Sequence, residues 1–211
     1  MRLDAIVFDL DGTLWDTCAA CATGWNIVLR RHNIAWPAIT ADVVRSVAGK
    51  PHAECIRQVF RGLSEAQLAI LSDETATEDV RCIEALGGEL YPGVAEGLAA
   101  LSARAPLFIV SNCQAGYIEL FLRSSGFEKL FRDFECWGNT GLSKAENLQR
   151  VIDRNGLRAP VFVGDTEGDE NAASSCNVPF VHAGYGFGRC ANAEHSAGSF
   201  PELCALLTNW K

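Results

Sequence analysis

Hydrophobic residues fall along this chain in two rhythms. Ala5 to Phe8 is an unbroken apolar run rich in strand formers. It reads as a buried strand. From Cys18 the spacing becomes helical. It predicts helices over 18–31, 42–48 and 52–61, with breaks at Pro37 and Gly49-Lys50-Pro51. A further helix opens at the capping box of Ser64 and Gln67 and runs to Leu86, where Gly87-Gly88 ends it. No convincing strand lies between Cys18 and Gly87. From Tyr91 helices and strands alternate. Helices are predicted over 94–103, 114–125 (closed by Gly126) and 167–175. Another opens at the capping box of Ser143 and Glu146 and ends at Gly156, and a last one covers 201–210. Strands are predicted over 106–110, 133–137, 160–163 and 178–182. This alternation predicts an α/β fold, a parallel sheet with helices on both faces. The helical stretch is an inserted subdomain at 17–87, between core segments 1–16 and 88–211.

Composition narrows the picture. In 211 residues, 48% are hydrophobic and 21% charged, enough apolar material for a sizeable core. The net charge of −8 argues against nucleic acid or an anionic membrane as partner. No apolar run reaches the roughly 18 residues of a membrane span, and Met1-Arg2-Leu3-Asp4 shows no secretory signal pattern. Nine cysteines are scattered without a zinc pattern. Cys18 and Cys21 have Cys-x-x-Cys spacing, compatible with a redox pair but better read as small packing residues on a helix. Reduced thiols and a cytoplasmic location are expected.

The chemistry sits where apolar runs stop. After Phe8 come Asp9 and Asp11, two residues apart and so on one side of an extended segment, followed by Gly12. Two carboxylates this close call for a proton, a cation or hydrogen-bond donors. The pair is a candidate metal or acid/base site; a plain Asp-Gly turn is the alternative. A calcium loop fails, because its invariant glycine would fall on Leu14 and its last glutamate on Ala20. After Val110 come Ser111 and Asn112. After Gly164 come Asp165 and, four residues on, Asp169. Taken singly, each is explained as a helix cap or a first-turn acid. Together they gather at the carboxyl edge of a parallel sheet, where ligands bind. Lys144 follows the N-cap Ser143, at the positive end of its helix, where a cation is unfavourable without another use.

Asp9-Leu-Asp-Gly-Thr, Ser111-Asn112, Lys144 and Gly164-Asp165-x-x-x-Asp169 resemble, in order and spacing, the four motifs of the haloacid dehalogenase-like phosphatase superfamily. The similarity spans essentially the whole chain and is greatest to the phosphoglycolate phosphatase and β-phosphoglucomutase branch. It implies a Rossmann-like core with a helical cap after the first motif. It also implies a Mg²⁺-dependent phosphatase acting on a small phosphorylated metabolite, as a monomer or weak homodimer. Asp9 is then the nucleophile that becomes aspartyl-phosphate, and Asp11 the general acid and base. Mg²⁺ falls to Asp9, the Asp11 carbonyl and Asp165, with Asp169 in support. Thr13, Ser111, Asn112 and Lys144 hold the phosphoryl group.

Rival phosphate sites fail. Val44 stands where a P-loop ending in Gly49-Lys50 needs its first glycine, and Pro51 replaces its Ser or Thr. Gly184-Tyr-Gly-Phe-Gly188 is not a dinucleotide fingerprint and reads as a loop after the last strand. Asp11 disfavours the dehalogenase and phosphonatase branches. A sugar-phosphate mutase is the closer alternative, since Asp16-Thr17 resembles its cap hinge, but Cys21 stands where the mutase has histidine. A non-catalytic phosphate-binding pseudoenzyme is a further alternative, although no nucleophile or metal acid is missing. Within the cap, Gly49-Lys50-Pro51 occupies the place of a specificity loop, with Arg45, Lys50 and His52 as its polar candidates. Trp15 is larger than is usual at its position, so the hinge is expected to pack differently.

Overall fold

A computed structural model describes residues 3–191 and 193–210. Residues 1–2, 192 and 211 of the expected core lie outside that description. The elements run β1 (Ala5–Phe8), β2 (Trp15–Asp16), α1 (Cys18–Arg31), α2 (Ala41–Arg45), α3 (His52–Val59), α4 (Glu65–Leu86), β3 (Glu89–Leu90), α5 (Val94–Ser102), β4 (Leu107–Ser111), α6 (Tyr117–Ser125), β5 (Phe131–Cys136), α7 (Trp137–Thr140), α8 (Lys144–Asn155), β6 (Pro160–Gly164), α9 (Glu167–Ser175), β7 (Phe180–Ala183), β8 (His195–Ala197) and α10 (Phe200–Thr208).

Six strands form one parallel sheet in the order β5-β4-β1-β6-β7-β8. β1 is central because it is wholly apolar: a strand buried on both faces needs no polar side. Its alternate side chains serve two cores. Ala5 and Val7 pack with Leu148 and Val151 of α8 and Ala172 and Ala173 of α9. Ile6 and Phe8 face the other way, into a core shared with α5, α6, α10 and the helical insert. The fold is therefore α/β and Rossmann-like, with helices on both sheet faces.

Local signals set the helix ends. Ser64 and Ser143 both form complete capping boxes, with Gln67 and Glu146, and Gly126 and Gly156 close their helices in the left-handed conformation. The structure adds two features that the hydrophobic pattern did not predict. β8 extends the sheet beyond β7. β2 and β3 pair antiparallel, Trp15 with Leu90 and Asp16 with Glu89, so the two chain segments joining α1–α4 to the sheet form one short ribbon.

Candidate active site

The chain leaves the carboxyl ends of β1, β4 and β6 at one place, where the order of connection reverses on either side of β1. Asp9 emerges from β1, fully buried. Gly12 then bends the chain at φ +83°. A Cβ there would lie 2.2 Å from Asp165 Oδ2, so only glycine lets the first turn meet the end of β6. Asp9, Asp165 and Asp169 are buried and present carboxylate oxygens within 4.8 Å of one another.

Lys144 lies beneath this cluster. Its ammonium donates to Asp9 Oδ1 at 2.8 Å and Asp169 Oδ1 at 2.5 Å. Burial works against the charge, but the two carboxylates outweigh it and hold Lys144 above the usual lysine range. Its place at an unfavourable helix end is thus answered by two carboxylates. Asp169 Oδ2 closes the cap of α9, accepting from Thr166 N and Oγ1 at 3.0 and 2.7 Å. Both Asp169 oxygens are therefore engaged within the protein.

Asp9 Oδ2 and Asp165 Oδ1 have no partner. Burial drives both carboxyls up, Asp165 to about 7, with Asp169 adding repulsion at each and Lys144 countering it. Three carboxylates against one ammonium leave two negative charges uncompensated. Two bare buried oxygens in an all-oxygen donor set fit a hard divalent cation.

Asp165 is aimed by a loop that the sequence reading left without a task. Phe187 and Gly188 donate their backbone N–H groups to Asp165 Oδ2 at 2.7 and 3.3 Å. A Cβ on Gly186 would come within 2.2 Å of the Gly12 carbonyl. The alternating glycines of 184–188 were the signal for this close approach, though not for its target.

Asp11 is half-buried. Its Oδ1 accepts from Tyr117 Oη at 2.7 Å and from Thr17 Oγ1 at 3.5 Å. Burial raises it to about 6 against the pull of the Tyr117 hydrogen bond. It can give and take a proton near neutrality.

Both acids line a cavity of about 70 Å³ roofed by the helical insert. Ser111, Asn112 and Gln114 line its core side. Gln114 Nε2 is buried and unpartnered, a donor that the sequence analysis did not single out. Ser111 Oγ accepts from Cys113 N at 3.3 Å, and the Asn112 side chain donates to the Gly49 carbonyl at 2.8 Å. Thr13 is fully buried with its hydroxyl unpartnered. Lys50 lines the mouth, but its ammonium donates to Gln58 Oε1 at 2.5 Å and lies 3.8 Å from Glu54. Arg45 pairs with Asp16 and Asp42 rather than the cavity, and its guanidinium lies over the Phe187 ring. Trp15 packs edge-on against Tyr117 and Phe121.

Carboxylates at the ends of β1 and β6 and the Ser111-Asn112 pair at the end of β4, under a helical roof, define a hydrolase with a Rossmann-like core that works on a phosphoryl group. The chain belongs to the haloacid dehalogenase-like hydrolases: that family's sequence model matches residues 6–183. It is a phosphoric monoester hydrolase of the phosphoglycolate phosphatase-like branch. A phosphoglycolate phosphatase of Synechococcus elongatus is 30% identical over 188 residues, 88% of this chain and 85% of that one. A 5'-nucleotidase of Pseudomonas aeruginosa is 28% identical over 195 residues, 89% and 86% of the two chains. A haloacid dehalogenase-like hydrolase from Streptococcus pneumoniae superposes with a TM-score of 0.81 at 21% identity, covering 97% of this chain and 98% of the other. No helix among the described residues is long and apolar enough to cross a membrane.

Proposed function

We propose that this enzyme is a Mg²⁺-dependent phosphatase that hydrolyses a small-molecule phosphate monoester through an aspartyl-phosphate on Asp9. The observation that carries this is the pairing of Asp9, with one bare oxygen, and Asp11, poised near neutrality, in one cavity. Asp9 attacks phosphorus, forming one P–O bond as the ester P–O bond breaks. Asp11 gives its proton to the departing alkoxide. It then takes a proton from the water that attacks the phosphoryl group, returning Asp9 as carboxylate and releasing phosphate.

Asp9, the Asp11 carbonyl and Asp165 would hold Mg²⁺, which supplies charge stabilisation to the phosphoryl oxygens when bound. Asp169 supports the site by fixing Lys144. Lys144 opposes the burial that raises Asp9, favouring its carboxylate, and with Ser111, Asn112 and Thr13 surrounds the phosphoryl position. Lys50 reaches the leaving group only by exchanging Gln58 for substrate. Cys21 supports hydrolase over mutase: it lines the cavity, and burial holds its thiol neutral, so it cannot serve as a histidine would. Residues 17–87 act as the cap. Nine cysteines without a disulfide suit a cytoplasmic setting, and a monomer or weak homodimer is the proposed state.

The test is phosphate release from p-nitrophenyl phosphate with and without Mg²⁺. Activity that disappears with EDTA and returns with Mg²⁺ is expected. Undiminished release in EDTA would overturn the metal assignment, and no release under any condition would overturn the phosphatase reading.

A further inference from the structure

On the cap side of the cavity lies a second polar cluster that the reaction at phosphorus does not use. Asp79 of α4 and His52 of α3 both line the cavity, beside Cys21 and Trp25 of α1. The Asp79 side chain is only 4% exposed. Its Oδ2 accepts from Trp25 Nε1 at a long 3.3 Å, the Cys21 thiol adds a weak donor, and its Oδ1 has no partner. Among the described residues its only basic neighbour at ion-pair range is His52, whose Nδ1 is 3.7 Å from Oδ2.

The hydrogen bonds decide what His52 presents. Thr75 spends its one hydroxyl proton on the Leu71 carbonyl. The 2.8 Å contact between Thr75 Oγ1 and His52 Nε2 must then be donated by the ring. That fixes the proton on Nε2 and leaves Nδ1 an acceptor facing Asp79. Burial drives the imidazole down to about 4, so it stays neutral at working pH. The cap wall thus offers two adjacent acceptors, a carboxyl and a bare ring nitrogen, with too few donors to satisfy them. The unpartnered donor of the cavity, Gln114 Nε2, belongs to the core side, beside Ser111 and Asn112.

Resting on the phosphatase reading above, we propose that the leaving group carries a primary ammonium that Asp79 and His52 Nδ1 receive beside the Trp25 ring. The preferred substrate class is then the phosphate ester of a short amino alcohol. An ammonium brings three donors and a positive charge to two adjacent acceptors that lack donors. A hydroxyl brings one donor and no charge. A carboxylate, as in phosphoglycolate, meets acceptors only. The cavity of about 70 Å³ favours a primary ammonium over a bulky trimethylated one.

The test measures kcat/KM of the full-length enzyme with Mg²⁺ on O-phosphoethanolamine, glycerol 3-phosphate, 2-phosphoglycolate and p-nitrophenyl phosphate. O-phosphoethanolamine should exceed the other two natural-type esters by about tenfold or more, the cost of leaving a buried charge unpaired. Asp79→Asn should cut the ratio of O-phosphoethanolamine to p-nitrophenyl phosphate by a similar factor. A readout independent of turnover is the Tm of the wild-type protein, which should rise with O-phosphoethanolamine and not with 2-phosphoglycolate. Turnover of p-nitrophenyl phosphate with 2-phosphoglycolate or glycerol 3-phosphate preferred leaves the phosphatase reading standing and overturns this one. If no ester is turned over, the phosphatase reading falls and the Tm series alone decides: equal shifts, or none, overturn the ammonium site.

Discussion

The side-chain amide of Asn112, at the end of β4, donates a 2.8 Å hydrogen bond to the carbonyl of Gly49 in the helical insert. One residue beyond the strand thereby latches the roof to the rim. A neutral hydrogen bond of this kind contributes about 1 kcal/mol. Asn112→Ala should therefore speed amide exchange at Ala48 to Lys50 by about fivefold, with global unfolding little changed. Hydrogen exchange followed by mass spectrometry checks this, and unchanged protection of the loop would refute the latch.

Asp9→Asn removes the attacking oxygen anion and leaves a side chain of the same shape. Turnover of p-nitrophenyl phosphate should fall by about a thousandfold or more, with far-UV circular dichroism unchanged. Residual activity within tenfold of wild type would remove Asp9 from the nucleophile role.

Lys144→Met leaves Asp9 and Asp169 buried without their shared cation. Breaking a buried ion pair from one side costs about 3–5 kcal/mol. Urea denaturation should show a loss of that order at neutral pH, and Lys144→Arg should not restore it, since a guanidinium does not fit a site shaped for a point charge. A loss below about 1 kcal/mol would mean that the two carboxylates are satisfied by other means.

His52 should leave a mark on stability in acid. Its folded value of about 4 lies below the usual 6.5, so the unfolded chain binds the proton first. Stability from this residue is complete above pH 6.5 and is lost as pH falls towards 4. The loss is about 3 kcal/mol. Asp79, the titratable group facing the ring, has its own carboxyl raised by burial, but that contribution is common to wild type and His52→Gln and cancels in their difference. The stability difference between wild type and His52→Gln should narrow by that amount between pH 7 and 4, and a constant difference would contradict the assignment.

Much of this was written in local residues. The apolar run Ala5 to Phe8, the boxes at Ser64 and Ser143, and the glycines ending α6 and α8 each act within a few residues, so the chain announces them. Motif order likewise anticipated that Asp9, Lys144, Asp165 and Asp169 meet at one rim. What stayed hidden depends on pairing at a distance. β8 and the ribbon of Trp15 with Leu90 are two or three residues long and exist only because a partner is present. The Phe187 and Gly188 amides acquire a purpose only once Asp165, 22 residues back, is beside them. Asp79 and His52 lie on different helices, and no periodicity could reveal that they meet. Gly88, read only as a helix end, is required by bulk as well: a Cβ there would stand 2.7 Å from the Trp15 ring.

The β2–β3 ribbon brings the entry and exit of the insert side by side. The insert thus leaves and rejoins the core through one neck. Closing a loop costs free energy that grows only with the logarithm of its length, so an insert of quite different size could hang from the same neck without disturbing β1 or β4. The core is in that sense a socket and the helices an exchangeable fitting. On the reading proposed above, leaving-group preference belongs to the fitting while the phosphoryl chemistry stays with the socket.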